Sequence, residues 1–107
     1  MKYIESLEKI ESLFSEGKLG SQNVEVIFNN KKFFIHHIDF KADQITLKVD
    51  RSHFIPWAPE KFLTKLKDVR DMVSPDAVLT VGEDGKSDSK PITSFYCSDN
   101  FLEIVVE

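Results

Sequence analysis

Cysteine and long apolar runs are both scarce in this 107-residue sequence. The single cysteine, Cys97, cannot form an internal disulfide, which favours a reducing compartment, the cytoplasm. No apolar run approaches the roughly 20 residues that span a bilayer. The N-terminal stretch is interrupted by Glu5, Glu8 and Glu11, so it lacks a signal-peptide core. The sequence therefore predicts a cytoplasmic location and no membrane partner.

Motifs for catalysis and for phosphate binding are also missing. The four glycines are not spaced as GxGxxG or GxxxxGK[ST], and no GxSxG, CxxC, HxxxH or HExxH pattern occurs. The acidic loop from Glu83 to Asp88 is not a calcium loop, because Lys86 and Phe95 stand where oxygen ligands are needed. These absences favour a non-catalytic protein over an enzyme, and they predict no cofactor.

A basic excess is lacking as well, since 14 lysines and arginines face 18 aspartates and glutamates, for a net charge of −4. Nucleic-acid binders usually carry a basic surface, because their affinity depends on neutralising phosphates. The balance disfavours nucleic acid as a partner. A weak nucleic-acid binder using a local patch stays as one alternative, with Lys31, Lys32, Lys61 and Lys65 as its contacts.

Two amphipathic helices are predicted from the spacing of apolar residues. Residues 2–16 place Tyr3, Leu7, Ile10 and Phe14 on one face, and residues 59–72 form a second helix. The stripe of the second helix consists of Phe62, Leu66, Val69 and Val73. Pro59 suits the first position of that helix, because proline lacks only an N–H that would be unpaired there.

Six strands are predicted, in two runs of three. Residues 22–28, 33–40 and 44–50 precede the second helix, and residues 77–81, 92–98 and 101–106 follow it. Strands in runs favour an α+β fold and antiparallel pairing. The prediction is a single domain over residues 1–107 with the order αβββαβββ. Its sheet or sheets are mainly antiparallel, with both helices packed on one side, and one continuous sheet and two packed sheets both fit the pattern.

The order of elements over residues 2–72 is similar to that of the double-stranded RNA-binding domain. That family is expected to carry a dense lysine motif at the start of its last helix. The matching stretch, residues 59–65, opens with Glu60 and is diluted by apolar residues, and residues 77–106 have no counterpart in that domain. Membership of that family is therefore not inferred.

The richest cluster of chemically active residues lies in the predicted strand 33–40. Strand alternation places His37 and Asp39 on one face and His36 on the other. A carboxylate two residues along a strand can orient an imidazole, as metal sites and general bases require. With His53 and Cys97 as further ligands, the alternative function is a metal- or ligand-dependent enzyme. The competing interpretation is that His36 packs among aromatic residues and His37 lies on an exposed face.

A dense apolar segment surrounds Pro56 and offers a surface for a partner. Phe54 and Trp57 would be its anchors, and Phe33 and Ile35 would add bulk on the neighbouring strand. The competing interpretation is that Trp57 packs against Phe62 as a hydrophobic staple at the start of the second helix.

The leading hypothesis is a small, cytoplasmic, non-catalytic protein-binding or accessory module. Its size and charge are compatible with inhibitors, immunity proteins and phage or bacterial accessory proteins. Strands that are apolar on both faces need a cover on each, so the expected partner is another protein or a second copy in a homodimer.

Overall fold

Two helices and seven strands make up the protein, for which the computed structural model describes residues 1–107. Helix α1 spans Tyr3–Ser15 and helix α2 spans Pro59–Asp68, followed by a 3₁₀ turn at Arg70–Met72. The strands are β1 (Asn23–Phe28), β2 (Lys31–Phe33), β3 (Ile35–Lys41), β4 (Gln44–Val49), β5 (Val78–Glu83), β6 (Ser89–Cys97) and β7 (Phe101–Val106). The fold is a single α+β domain, as predicted.

All seven strands belong to one curled sheet in the order β2-β1-β7-β6-β5-β4-β3. The sheet is mixed, because β1 pairs with β7 and β4 pairs with β5 in parallel, while the other neighbours are antiparallel. The prediction of a mainly antiparallel arrangement was wrong. The parallel pairing of β4 with β5 has a physical reason in the segment that connects them. In this segment α2 returns the chain to the end of the sheet at which β4 begins, so that β4, α2 and β5 form a βαβ crossover.

The predicted strand 33–40 is in fact two strands separated by Phe34. Asn29 and Asn30, both with positive φ, make the tight turn that brings β2 back along β1. After Phe34 the chain leaves β1 and pairs with β4 at the opposite edge of the sheet. The order is therefore αββββαβββ rather than αβββαβββ. Because the two edges are consecutive in the chain, the sheet must curl to bring them together.

The concave interior holds one hydrophobic core to which both helices and all seven strands contribute. Most of each predicted stripe is buried: Leu7 and Ile10 of α1 and Phe62 and Leu66 of α2 lie inside the core, and Phe14 is partly buried against it. The Tyr3 hydroxyl donates a hydrogen bond to the carbonyl oxygen of Leu66, which ties the two helices together. Neither helix has the length and apolar character needed to cross a membrane.

Helix α2 begins as its sequence predicts, with Ala58 at the N-cap and Pro59 at the first helical position. The segment before it, from Asp50 to Trp57, contains no regular secondary structure. That segment crosses from β4 to α2 close to the beginning of β3, since the ring of His53 lies against that of His36. The outer surface at the start of β3 is thus the place where the strand, this segment and the β5–β6 turn meet.

Candidate functional site

A β-bulge at the start of β3 places two consecutive histidines on the outside of the sheet. Ile35 is opposite Val49 and His37 is opposite Lys48. Between these two pairs the chain moves two residues along β3 but only one along β4. The extra residue is His36. Alternation predicts that His36 and His37 face opposite sides, and the bulge removes that alternation here. The prediction that His36 faces away from His37 was therefore wrong.

The carboxylate of Asp84 comes to the same place from β5. Asp84 directly follows β5, and its backbone N–H donates a 2.8 Å hydrogen bond to the carbonyl oxygen of Val49. Its Oδ2 lies 2.7 Å from Nδ1 of His36, and its Oδ1 lies 3.6 Å from Nε2 of His37. The backbone hydrogen bond fixes this carboxylate next to the bulge.

Neighbouring ion pairs hold the turn that carries Asp84. Glu83 lies between Lys86, at 3.0 Å, and the Arg51 guanidinium, at 3.6 Å. The hydrogen bond from Lys86 is the main cause that lowers the pKa of Glu83 below its ordinary value. Glu83 therefore stays ionised, and it links the β5–β6 turn to the segment that follows β4.

His36, His37 and Asp84 form what we call the His–His–Asp triad. One ligand atom from each lies within 4.8 Å of the other two, and the Nδ1 atoms of the histidines are 3.3 Å apart. The proton on one Nδ1 can make a single good hydrogen bond, either to the other nitrogen or to Asp84. A bound cation would satisfy all three atoms at once.

Asp39 supports the triad from the next outward-facing position of β3. Its Oδ1 lies 3.4 Å from Nε2 of His37, the same nitrogen that Oδ1 of Asp84 approaches at 3.6 Å. A carboxylate that accepts the outer N–H of an imidazole fixes the tautomer in which Nδ1 carries a lone pair. The sequence prediction that Asp39 and His37 share a face is confirmed by this contact.

His53 completes the histidine cluster without joining the triad. Its ring packs on that of His36 with 5.0 Å between the ring centroids, and its buried Nε2 has no hydrogen-bond partner. Asp50 lies beside the two rings. The Ser52 backbone N–H, followed by the Ser52 hydroxyl, lowers the pKa of Asp50, and the charges of His36 and His53 act in the same direction.

Cys97, the fourth ligand predicted from the sequence, lies elsewhere. It ends β6, and its Sγ is 3.3 Å from the carbonyl oxygen of Lys18 and 3.7 Å from the amide of Gln22. These partners belong to the connection between α1 and β1. The fold thus brings His37 and Asp39 into contact, places His53 against His36, and leaves Cys97 out.

Three of the four predicted partner-binding side chains are buried in the core, namely Phe33, Ile35 and Trp57. Trp57 immediately precedes the N-cap of α2, and Lys61 Nζ lies 5.4 Å from the centre of its ring. Phe54 is 76% exposed, and its neighbour Ile55 is 73% exposed. Within the segment around Pro56, the apolar surface that a partner can reach is therefore the pair Phe54–Ile55.

The lysines of the nucleic-acid alternative are on separate elements and partly engaged. Lys31 and Lys32 lie on β2, whereas Lys61 and Lys65 lie on α2. Lys32 is 3.6 Å from the carboxylate of Glu25, and Lys61 lies over Trp57. Lys32 and Lys61 thus have contacts within the protein.

No family model, curated protein or solved structure matches this chain. Two residues of the site, His36 and Asp84, were not predicted to act with His37. Asp84 was considered only as part of an acidic loop that does not fit a calcium site, and its pairing with the histidines depends on the parallel alignment of β5 beside β4. The only signal in the sequence is the adjacent histidine pair itself.

Proposed function

We propose that this protein binds a divalent transition-metal ion through the His–His–Asp triad. The observation that carries the proposal is the convergence of two imidazole nitrogens and one carboxylate oxygen from two different strands. The bulge in β3 and the backbone bond of Asp84 bring these atoms together. Bulges are often found beside functional sites, where they redirect a side chain.

The spacing of the two imidazole nitrogens suits a tetrahedral ion. Metal–ligand distances of about 2.0–2.1 Å place neighbouring tetrahedral ligands about 3.3 Å apart. The two Nδ1 atoms are already 3.3 Å apart. The 2.7 Å contact between Asp84 and His36 is a hydrogen-bond distance. It would lengthen by about 0.6 Å when the ion replaces the shared proton.

The ligand types narrow the choice of metal. Two imidazoles and a carboxylate suit Zn²⁺ and neighbouring first-row ions, whereas Ca²⁺ and Mg²⁺ prefer oxygen ligands alone. Three protein ligands leave at least one coordination position open, as in zinc sites that exchange ligands. His36 and His37 are each about half exposed, so a ligand from solution can reach that position.

Calorimetric titration of Zn²⁺ into the protein tests the proposal. Wild type should bind one equivalent, and His36→Gln and Asp84→Asn should each weaken binding by more than about 100-fold, the upper end of the loss seen for outer-shell changes. Asp99→Asn is the matched control, because it removes the same charge from the exposed turn between β6 and β7. Equal affinity in wild type and Asp84→Asn would refute the triad, as would loss of binding in Cys97→Ser.

A second candidate function, contact with another protein, is favoured by the exposure of Phe54 and Ile55. An exposed aromatic and an aliphatic side chain next to Pro56 give a stiff apolar tip that a partner can enclose. A second copy of the chain is the first partner to examine. Sedimentation velocity should show a dimer that Phe54→Ser dissociates, and a wild-type monomer at high concentration would exclude self-association.

We also propose a cytoplasmic location for this metal-binding protein. The proposal depends on the lone thiol of Cys97, which has no second cysteine with which to form a disulfide. Fractionation of cells that express a tagged chain should place the protein in the cytosol, and recovery from a secreted fraction would contradict the proposal.

A further inference from the structure

A polar groove of about 460 Å³ runs along the outer face of β3 and β4. Ser87 of the β5–β6 turn and Ser89 at the start of β6 form one wall, and β3 and β4 supply Lys41, Lys48 and Thr46. Ile38 and Phe40 are its two apolar residues. The volume lies within the range of about 300–1,000 Å³ that is typical of small-molecule sites.

The groove adjoins the triad. Asp39, which contacts His37, is also one of the residues that line the groove. Lys48 is directly opposite His37 in the β3–β4 register, where facing Cβ atoms lie about 4.5–5.5 Å apart. The open position of an ion on the triad and the Lys48 ammonium would therefore be close to one another.

Neither lysine of the groove is held in an ion pair within the protein. Lys41 and Lys48 form no ion pair, whereas Lys32, Lys67 and Lys86 each lie near a carboxylate. Lys48 is only partly exposed, so its charge is less screened than that of a fully solvated lysine. Two unpaired ammonium groups beside serine hydroxyls are suited to an oxyanion.

Gly82 keeps the groove open beneath the turn. It lies opposite both Lys48 on β4 and Ser89 on β6. A Cβ at this position would be 3.1 Å from the carbonyl oxygen of Asp88 and 3.3 Å from Cγ2 of Thr46. Glycine thus lets the turn approach the sheet closely enough to form the wall of the groove.

We propose that this groove binds the phosphate group of a phosphate monoester, with one oxygen on the metal ion and others on Lys41 and Lys48. This inference rests on the proposed metal site. Phosphate binding should depend on the ion, because the charges of Lys41, Lys48, Asp39 and Asp84 add up to zero when no metal is bound. A divalent ion leaves two uncompensated positive charges, which match a phosphate dianion better than a single carboxylate.

The apolar residues define the rest of the ligand. Ile38 and the 42% exposed ring of Phe40 line the groove beside the lysines. A small apolar body attached to the phosphate can cover them. Phenyl phosphate is therefore the probe, with inorganic phosphate and phenol as its two halves.

Calorimetric titration of phenyl phosphate tests the inference after Zn²⁺ binding has been measured by itself. Protein loaded with one equivalent of Zn²⁺ should bind the probe, and metal-free protein should bind it at least about tenfold more weakly. By linkage, saturating phenyl phosphate should tighten Zn²⁺ binding by the same factor. Phenol should not bind, and inorganic phosphate should bind more weakly than the ester.

Two variants identify the groove. Lys48→Gln should lower the affinity for phenyl phosphate by at least about tenfold, which is the loss expected for a hydrogen bond to a charged group. Its affinity for Zn²⁺ should be retained. Lys9→Gln on α1 is the matched control and should bind as wild type does. Equal probe affinity in Lys48→Gln and wild type would overturn the groove, as would Zn²⁺ binding without any probe binding. Failure of Zn²⁺ itself to bind would refute the metal site instead.

Discussion

The Nδ1 atoms of His36 and His37 lie 3.3 Å apart, although the two residues are consecutive in one strand. Regular strand geometry would direct them to opposite faces of the sheet. The bulge between Ile35 and His37 interrupts this alternation, so that both imidazoles lie on the same side of the sheet as the Asp84 carboxylate. The metal-binding proposal follows from this one local irregularity.

Asp39→Asn should lower Zn²⁺ affinity by about tenfold to 100-fold, the usual effect of losing a carboxylate behind a ligating histidine. The contact of Asp39 with Nε2 of His37 is the structural reason. Calorimetry measures the affinity, and urea unfolding should show unchanged stability because Asp39 is exposed. Unchanged Zn²⁺ affinity would mean that Asp39 does not orient His37.

Trp57→Ala should destabilise the protein by about 3–5 kcal/mol, as expected for removing a buried aromatic side chain. Trp57 is 5% exposed, whereas Phe54, three residues earlier, is 76% exposed. Phe54→Ala should therefore change the free energy of unfolding by less than about 0.5 kcal/mol. Urea unfolding of both variants measures the difference, and similar losses would show that the two side chains are buried alike.

Gly82→Ala should lower the free energy of unfolding by about 1–3 kcal/mol, because the added methyl group does not fit the space around Gly82. Its closest contact, 3.1 Å to a backbone carbonyl, cannot be relieved by a side-chain rotation. Gly20→Ala is the control, since its Cβ would meet nothing within 4 Å. Thermal unfolding compares the two, and equal melting temperatures would show that the β5–β6 turn moves away without cost.

Tyr3 should make the protein less stable in alkaline solution. Burial is the main cause that raises the pKa of Tyr3 above 10.0 in the folded state, with Arg70 lowering it and Asp71 raising it. The Tyr3 hydroxyl therefore loses its proton at a lower pH in the unfolded chain than in the folded one. Its contribution to stability is fully present below pH 10.0 and decreases as the pH rises further. Tyr3→Phe should lower the free energy of unfolding by about 1 kcal/mol at neutral pH, because it removes the hydrogen bond to the carbonyl oxygen of Leu66.

Urea unfolding between neutral pH and pH 11, on the order of one unit above the ordinary tyrosine value, checks this prediction. The gap between wild type and Tyr3→Phe should narrow as the pH rises. A gap that stays constant would show that Tyr3 ionises equally in both states.

The local elements of the fold could be predicted from the sequence because periodicity reports burial directly. Ile45, Leu47 and Val49 alternate and are all fully buried, and the stripe of α2 from Phe62 to Leu66 lies in the core. The turn at Asn29 and Asn30 is likewise local, because asparagine tolerates the positive φ that both residues adopt. Each of these features depends on residues close together in the chain.

The features that were missed depend on long-range pairing. The break at Phe34 exists because β2 and β3 pair with different partners at opposite edges of the sheet. The bulge at His36 depends on the β3–β4 register, and the position of Asp84 depends on the parallel pairing of β4 with β5. No local periodicity encodes these alignments, so two of the three residues of the triad could not be assigned to it from the sequence.

Nuclear magnetic resonance of the histidine ring nitrogens during Zn²⁺ addition shows whether His36 and His37 bind the ion. The metal-binding account predicts that the Nδ1 resonances of His36 and His37 move to metal-bound positions at one equivalent, while Nε2 of His37 keeps its proton and its contact with Asp39. His53 should shift little. Unchanged Nδ1 resonances of His36 and His37, or coordination through His53 and Cys97 instead, would contradict the account.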